Sequence, residues 1–137
     1  MSAEIKVRWG WLKFMYLATI VFAVVTGLAI IIMPDFYKSF SQWPADEPIS
    51  LGIVGSVYLA FGILSIFGLR APLKYSPILF LQLCYKVIWF IGVVFPLLFA
   101  GKFPSYAVIT VVVFALFIVG DLIAIPFSYI FAEETHK

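Results

Sequence analysis

The sequence predicts an all-α integral membrane protein: a four-transmembrane-helix antiparallel bundle with a short interfacial helix in the first extracytoplasmic loop. Three observations predict it. No charged residue stands between Lys13 and Asp35, nor between Glu47 and Arg70, gaps of 21 and 22 residues. At about 1.5 Å per helical residue, each gap is long enough to cross a bilayer core of about 30 Å. Two further apolar stretches, near 76–100 and 105–131, carry one charge each, Lys86 and Asp121. Of the 137 residues, 64% are hydrophobic and 12% charged, where a soluble domain carries roughly 25% charged residues. Four spans of about 20 residues use most of the chain, so a single membrane domain over 1–137 is expected.

The first span is expected over about 9–33. Trp9 and Trp11 lead into it and suit the aromatic belt at an interface. Lys6, Arg8 and Lys13 give it the look of a signal peptide, but it is too long for one. Met33-Pro34-Asp35 is also not a small-residue cleavage site, so the run is expected to be retained. In the 34–49 loop, Phe36, Phe40 and Trp43 recur at i, i+4 and i+7 between Pro34 and Pro44. That spacing predicts a short helix lying flat on the membrane. Asp46, Glu47 and Pro48 lead into a second span over about 50–69, which Arg70-Ala71-Pro72 stops. Lys74 and Tyr75 introduce a third over about 76–100. Gly101-Lys102-Phe103-Pro104 turns the chain into a fourth over about 105–131, followed by a polar tail. Short connections favour an up-down arrangement. Lys6, Arg8, Lys13, Arg70, Lys74 and Lys137 fall on one side, against Lys38 and Lys102 on the other. The bias predicts a multi-pass protein of the cell membrane with both termini and the 70–76 loop in the cytoplasm.

A charge at membrane depth costs at least a few kcal/mol and needs a partner or a purpose. On the third span, Gln82, Tyr85, Lys86, Trp89 and Pro96 share one helical face, with Cys84 opposite. On the fourth, Tyr106, Thr110, Phe114, Phe117, Asp121, Ala124 and Ser128 share another. Lys86 and Asp121 each lie ten residues from the cytoplasmic end of their span, roughly 15 Å deep. An intramembrane Lys86–Asp121 salt bridge is therefore expected. Tyr16, Thr19, Ala23, Thr26 and Gly27 share a face of the first span, and Tyr58 of the second is expected level with Asp121. Thr19, Tyr58, Tyr85, Lys86 and Asp121 are expected to form one polar layer, with Gln82 and Trp89 beside it. Most such hydroxyls only satisfy a local carbonyl or a neighbouring helix.

The second span also carries Gly52, Ser56 and Ala60 as a small-xxx-small series, with Gly55 and Gly62 nearby. Such faces let backbones approach closely, within one protomer or between copies. Pro96 and Pro126 each remove a helical hydrogen bond, and Pro126 frees the Leu122 carbonyl beside Asp121.

Composition narrows the chemistry. The net charge of +2 gives no basis for nucleic-acid binding. Cys84 is the only cysteine, so neither an intrachain disulfide nor a CxxC motif exists. The chain contains no Asn, which excludes N-glycosylation. His136 is the only histidine, which excludes a haem with two histidine ligands from one chain. No metal cluster, aspartyl dyad or phosphate loop can be assembled, and no cofactor is expected.

In length and span count the chain resembles small bacterial four-helix membrane proteins of the DoxX-like sort, which implies four helices and nothing about a site. Small multidrug exporters have a similar span count, but their key acid lies in a first span that here has none. Fluoride channels need Asn-rich pore motifs that this chain lacks. Acid–base work by the Lys–Asp pair on a membrane-soluble substrate stays open as a residual reading, and a non-enzymatic function is the one expected. One reading is binding of a small or lipophilic ligand, or service as a membrane-complex subunit, through the layer at Lys86 and Asp121. The other is a homo-oligomeric small transporter or channel with Asp121 as its coupling acid. The partners expected are the lipid bilayer, a lipophilic ligand, and further copies of the chain or a larger membrane complex.

Overall fold

The computed structural model describes residues 7–44 and 47–134. Lys6, Asp46, His136 and Lys137, whose charge or ring bears on the expectations above, lie outside the described residues. Among the described residues every regular element is helical. Four helices are long and apolar enough to cross a membrane: α1 (Trp9–Ile32), α3 (Pro48–Arg70), α4 (Ser76–Phe99) and α5 (Ser105–Ala124). Two short helices accompany them, α2 (Pro34–Ser41) and α6 (Phe127–Ile130).

Proline and side-chain caps set the boundaries. Pro34 opens α2, where its missing N–H costs nothing. Gln42 closes it in the left-handed region at φ 56°, and the Trp43 N–H donates to the Lys38 carbonyl at 2.9 Å. Phe36 and Phe40 stack at 6.2 Å and are 61% and 80% exposed, giving α2 an apolar outer face as expected. Trp43 lies past its end and packs on Tyr37 instead. Burial raises the Tyr37 hydroxyl's pKa above its ordinary value. At the start of α3, Glu47 accepts from the N–H groups of Ile49 at 2.6 Å and Ser50 at 2.8 Å, with Pro48 at the first helical position. Hydrogen bonds from the Ser50 side chain, then from these N–H groups, hold the Glu47 carboxyl below the usual carboxylate range.

The α1–α3 contact rests on glycine. A Cβ on Gly27 would stand 2.7 Å from the Leu59 nitrogen and 2.9 Å from the Gly55 oxygen, so the two backbones nearly touch there. Gly55 faces Ile30, Gly62 faces Val24 and Gly68 faces Tyr16. These contacts descend α3 as they ascend α1, so the two helices run in opposite directions. The Tyr16 hydroxyl donates to the Pro72 carbonyl at 2.7 Å, tying α1 to the 71–75 loop.

Two π-helical turns and one break change the expected faces. In α4 the turn at Phe90–Val94 adds a residue to the helical count and rotates the last turns of the helix. Val94 is therefore buried and Pro96, expected on the polar face, is exposed. A second π turn at Ile20–Val24 lies in α1. The fourth apolar helix does not continue to 131. It ends at Ala124, Ile125 is extended at ψ 127°, and α6 follows Pro126. Proline has no N–H for the ladder and disfavours a helical residue before it, so the chain breaks here rather than kinks. Arg8 Nη1 donates to the Ile123 carbonyl at 3.2 Å, covering one acceptor at that end. Ser128 lies beyond the break and is exposed, as are Tyr106 and Thr110 at the other end of the expected stripe.

Candidate functional site

The buried polar side chains gather in the half of the molecule nearer the termini. Thr19, Ser65, Gln82, Lys86 and Asp121 are each no more than 3% exposed, and each apolar helix contributes at least one of them. Their registers are fixed by packing. Gly68 meets Tyr16 and Gly62 meets Val24, which sets Ser65 of α3 level with Thr19 of α1. Gly120 of α5 meets Met15, one turn before Thr19.

A chain of contacts joins three helices at this level. Gln82 Nε2 donates to Asp121 Oδ2 at 3.0 Å. Thr19 Oγ1 donates to the Met15 carbonyl at 2.8 Å and lies 3.4 Å from Gln82 Oε1. Asp121 Oδ1 and Ser65 Oγ are buried with no hydrogen-bond partner. Unpartnered buried polar atoms are uncommon in folded proteins and call for an explanation, such as a bound water or ion.

The expected Lys86–Asp121 salt bridge is not formed. The ion pair present among the described residues is Lys38–Asp35, at 3.6 Å in α2. Gln82, one turn before Lys86 on α4, occupies the acceptor side of the carboxylate instead. Lys86 Nζ donates to the Tyr85 hydroxyl at 2.7 Å. It lies over three rings, at 4.3 Å from the centroid of Tyr85, 4.5 Å from Phe114 and 5.1 Å from Phe117. A desolvated ammonium over such faces gains about 2 kcal/mol or more. The lysine is thus seated in an aromatic box without direct contact to the carboxylate, whose charge still acts on it from a distance. Trp89 packs edge-on against Phe114, one of the rings of the box, at 5.1 Å.

Of the expected layer, Thr19, Gln82 and Asp121 meet, Lys86 and Tyr85 lie in the box beside them, and Trp89 packs on the box through Phe114. Tyr58 makes no hydrogen bond to these groups among the described residues. It lies two turns from Ser65 along α3, roughly 10 Å away, and touches Phe22, which in turn packs on Phe117. Counting from span ends sets it level with Asp121; glycine contacts, not span ends, set the register. Ser65, not Tyr58, stands level with Thr19. In the sequence it stands out only as one more small residue of the second span, though it shares a face with Tyr58 and Phe61. Phe22 and Phe61, which packs on Tyr85 at 5.5 Å, carry no sequence signal within uniformly apolar helices.

The small-residue series has two faces. Gly55, Gly62 and Gly68 are consumed by the contact with α1. Gly52, Ser56 and Ala60 line an open groove with Ile31, Ile49 and Val57, away from the polar layer. The groups able to hold a ligand at the layer are oxygens: a carboxylate, two hydroxyls and an amide carbonyl. No cluster of His, Cys, Asp and Glu able to hold a metal ion occurs among the described residues. No family model matches this chain, no curated protein matches it, and no solved structure matches it.

Proposed function

We propose that this chain is a multi-pass membrane protein, inserted as an antiparallel four-helix bundle with both termini in the cytoplasm, whose polar layer binds a small ligand. The observation that carries the reading is the free oxygen of Asp121, fully buried with no donor and no cation against it. A purely structural role would be served by a closed ion pair or a fully satisfied network. Here the lysine is held elsewhere and one face of the carboxylate is left unsatisfied. The ligand is a small polar molecule or ion, or the polar head of a lipophilic one reached between helices. The protein acts alone or as a subunit of a larger membrane complex.

Native mass spectrometry from mild detergent, with an Asp121→Asn variant alongside, tests the reading. A defined extra mass lost in the variant is the expected result for a ligand that survives desorption. If Lys86→Met with Asp121→Leu leaves both folding and cellular phenotype intact, a functional site at the layer is refuted.

The open groove over Gly52, Ser56 and Ala60 favours a second reading, a homo-oligomeric small transporter with Asp121 as coupling acid. A clean oligomer by native mass spectrometry, with pH-dependent solute flux in liposomes, is the outcome it requires. A monomer that moves nothing counts against it.

A further inference from the structure

We infer that Thr19, Ser65, Gln82 and Asp121, one from each apolar helix, form a binding site for a dehydrated monovalent cation of about the size of Na+. The inference rests on the binding-site reading above and names its ligand.

The placement of protons leads to it. Thr19 has a single hydroxyl proton, and it is spent on the Met15 carbonyl at 2.8 Å. Gln82 turns its NH2 to Asp121 at 3.0 Å, so its carbonyl oxygen faces Thr19. Thr19 Oγ1 lies 3.4 Å from that oxygen, so its one proton, already on the Met15 carbonyl, satisfies Gln82 Oε1 only through a long, shared bond. Reversing the amide would set an oxygen against the carboxylate. Two further oxygens, Asp121 Oδ1 and Ser65 Oγ, are buried without any partner. Ser65 shares the face of Phe61 and Gly68, which pack on Tyr85 of α4 and Tyr16 of α1, so it looks into the bundle between these helices. Four inward oxygens short of donors are what a hard cation coordinates.

Two more features set the charge. Asp121 lies in the last turn of α5, just before the break at Ile125, where the helix dipole is negative and favours a cation. Lys86 stands one turn along α4, more than 4.0 Å from the carboxylate, held by the Tyr85 hydroxyl and three ring faces. Its ammonium repels any incoming cation. With one carboxylate against the ammonium and the incoming ion, a single charge leaves the site at a net +1 and a double charge at +2, so the single charge is the one favoured. The same repulsion gives the inference its sign: removing the ammonium strengthens cation binding, where a site needing Lys86 as a ligand partner would be weakened.

The test is thermal unfolding of the detergent-purified full chain, followed by tryptophan fluorescence, after exhaustive dialysis into choline chloride. NaCl, KCl and CaCl2 are titrated in at constant ionic strength. A saturable rise in midpoint with NaCl, absent with choline, is expected. Ser65→Ala and Thr19→Val, which leave the carboxylate in place, each raise the half-saturating Na+ concentration about tenfold. Lys86→Met lowers it. Identical midpoints in all salts overturn the inference, as does a Na+ effect that persists unchanged in Ser65→Ala and Asp121→Asn. An Asp121-dependent organic mass without any Na+ effect also overturns it, but leaves the binding-site reading standing. Absence of both removes the two together.

Discussion

The α1–α3 contact and the α4–α5 contact hold the same kind of apolar helices together by opposite means. Between α1 and α3, glycines bring the backbones almost into touch, and no polar side chain is needed. Between α4 and α5, the contact is made by a glutamine on an aspartate and a lysine under aromatic rings. Lipid is as apolar as the helix faces, so association has to come from close packing or from polar contacts. The first means tolerates no added atom, and the second tolerates no missing partner. The polar pair leaves a carboxylate oxygen over, and the glycine pair leaves only the neutral Ser65 hydroxyl oxygen. The charge of a site can therefore come from one pair and not from the other.

The polar contact is broken most severely by removing its acid. Asp121→Leu strips the acceptor from Gln82 and leaves Lys86 as an uncompensated buried charge. It is expected to cost about 3 kcal/mol in reversible unfolding from mixed micelles. Adding Lys86→Met is expected to recover most of that loss, because an apolar replacement of both charges avoids their desolvation. A double variant no better than the single one would mean that Gln82, not the lysine, dominates the cost.

The glycine contact is broken by one carbon. Gly27→Ala sets a methyl group against backbone on two sides, at 2.7 and 2.9 Å, where no side chain can swing away. Overpacking of this kind costs about 2 kcal/mol, and the helix propensity gained offsets less than half of it. Gly52→Ala is the control on the same pair of helices: nothing lies within 4 Å of its Cβ. That variant is expected to unfold at the same midpoint as the parent or slightly above it. Equal losses in the two variants would show that the backbones are not in close contact.

Tyr85→Phe separates the two components of the lysine's seat. It keeps the ring under Nζ, at 4.3 Å from its centroid, and deletes the hydroxyl that accepts the ammonium proton at 2.7 Å. A hydrogen bond to a charged group contributes about 1.5 kcal/mol or more, so a loss of that size is expected in the same unfolding measurement. A loss near zero would assign the seat to the rings alone.

The four apolar helices and α2 are legible in the sequence because charge gaps, paired prolines and aromatic spacing are local signals. The central face of each stripe is legible too: Gln82 with Lys86, and Phe114, Phe117 and Asp121, are where periodicity sets them. Three things are not legible. A π turn has no sequence mark, so periodicity puts the face carrying Pro96 in the wrong phase. The break at Ile125 looks like a kink in the sequence, because a proline alone does not say whether the helix resumes. The relative height of helices depends on which glycine meets which side chain, and only the packed structure fixes that. Hence Ser65, not Tyr58, stands level with Thr19, and Lys86 and Asp121, level by counting, fail to pair.

The smallest expected effect lies at the outer end of the glycine-packed pair, where a carboxylate caps α3. Glu47 accepts from the N–H groups of Ile49 and Ser50, and these bonds with the Ser50 side chain hold its pKa below the ordinary value. A carboxyl whose folded pKa is depressed stabilises the fold above its unfolded pKa, and the contribution fades as pH falls through the folded one. The cap is therefore intact at neutral pH and released in acid, below the usual glutamate range. Amide shifts of Ile49 and Ser50, followed by NMR from pH 6 to pH 3, are expected to move together with one low apparent pKa. Glu47→Gln is expected to abolish that titration while keeping an acceptor at the cap. Global unfolding of the glycine-packed pair stays unchanged in that variant, since the cap holds only the first turn. A large change in global stability would mean that the start of α3, and not its glycines, anchors the α1–α3 contact.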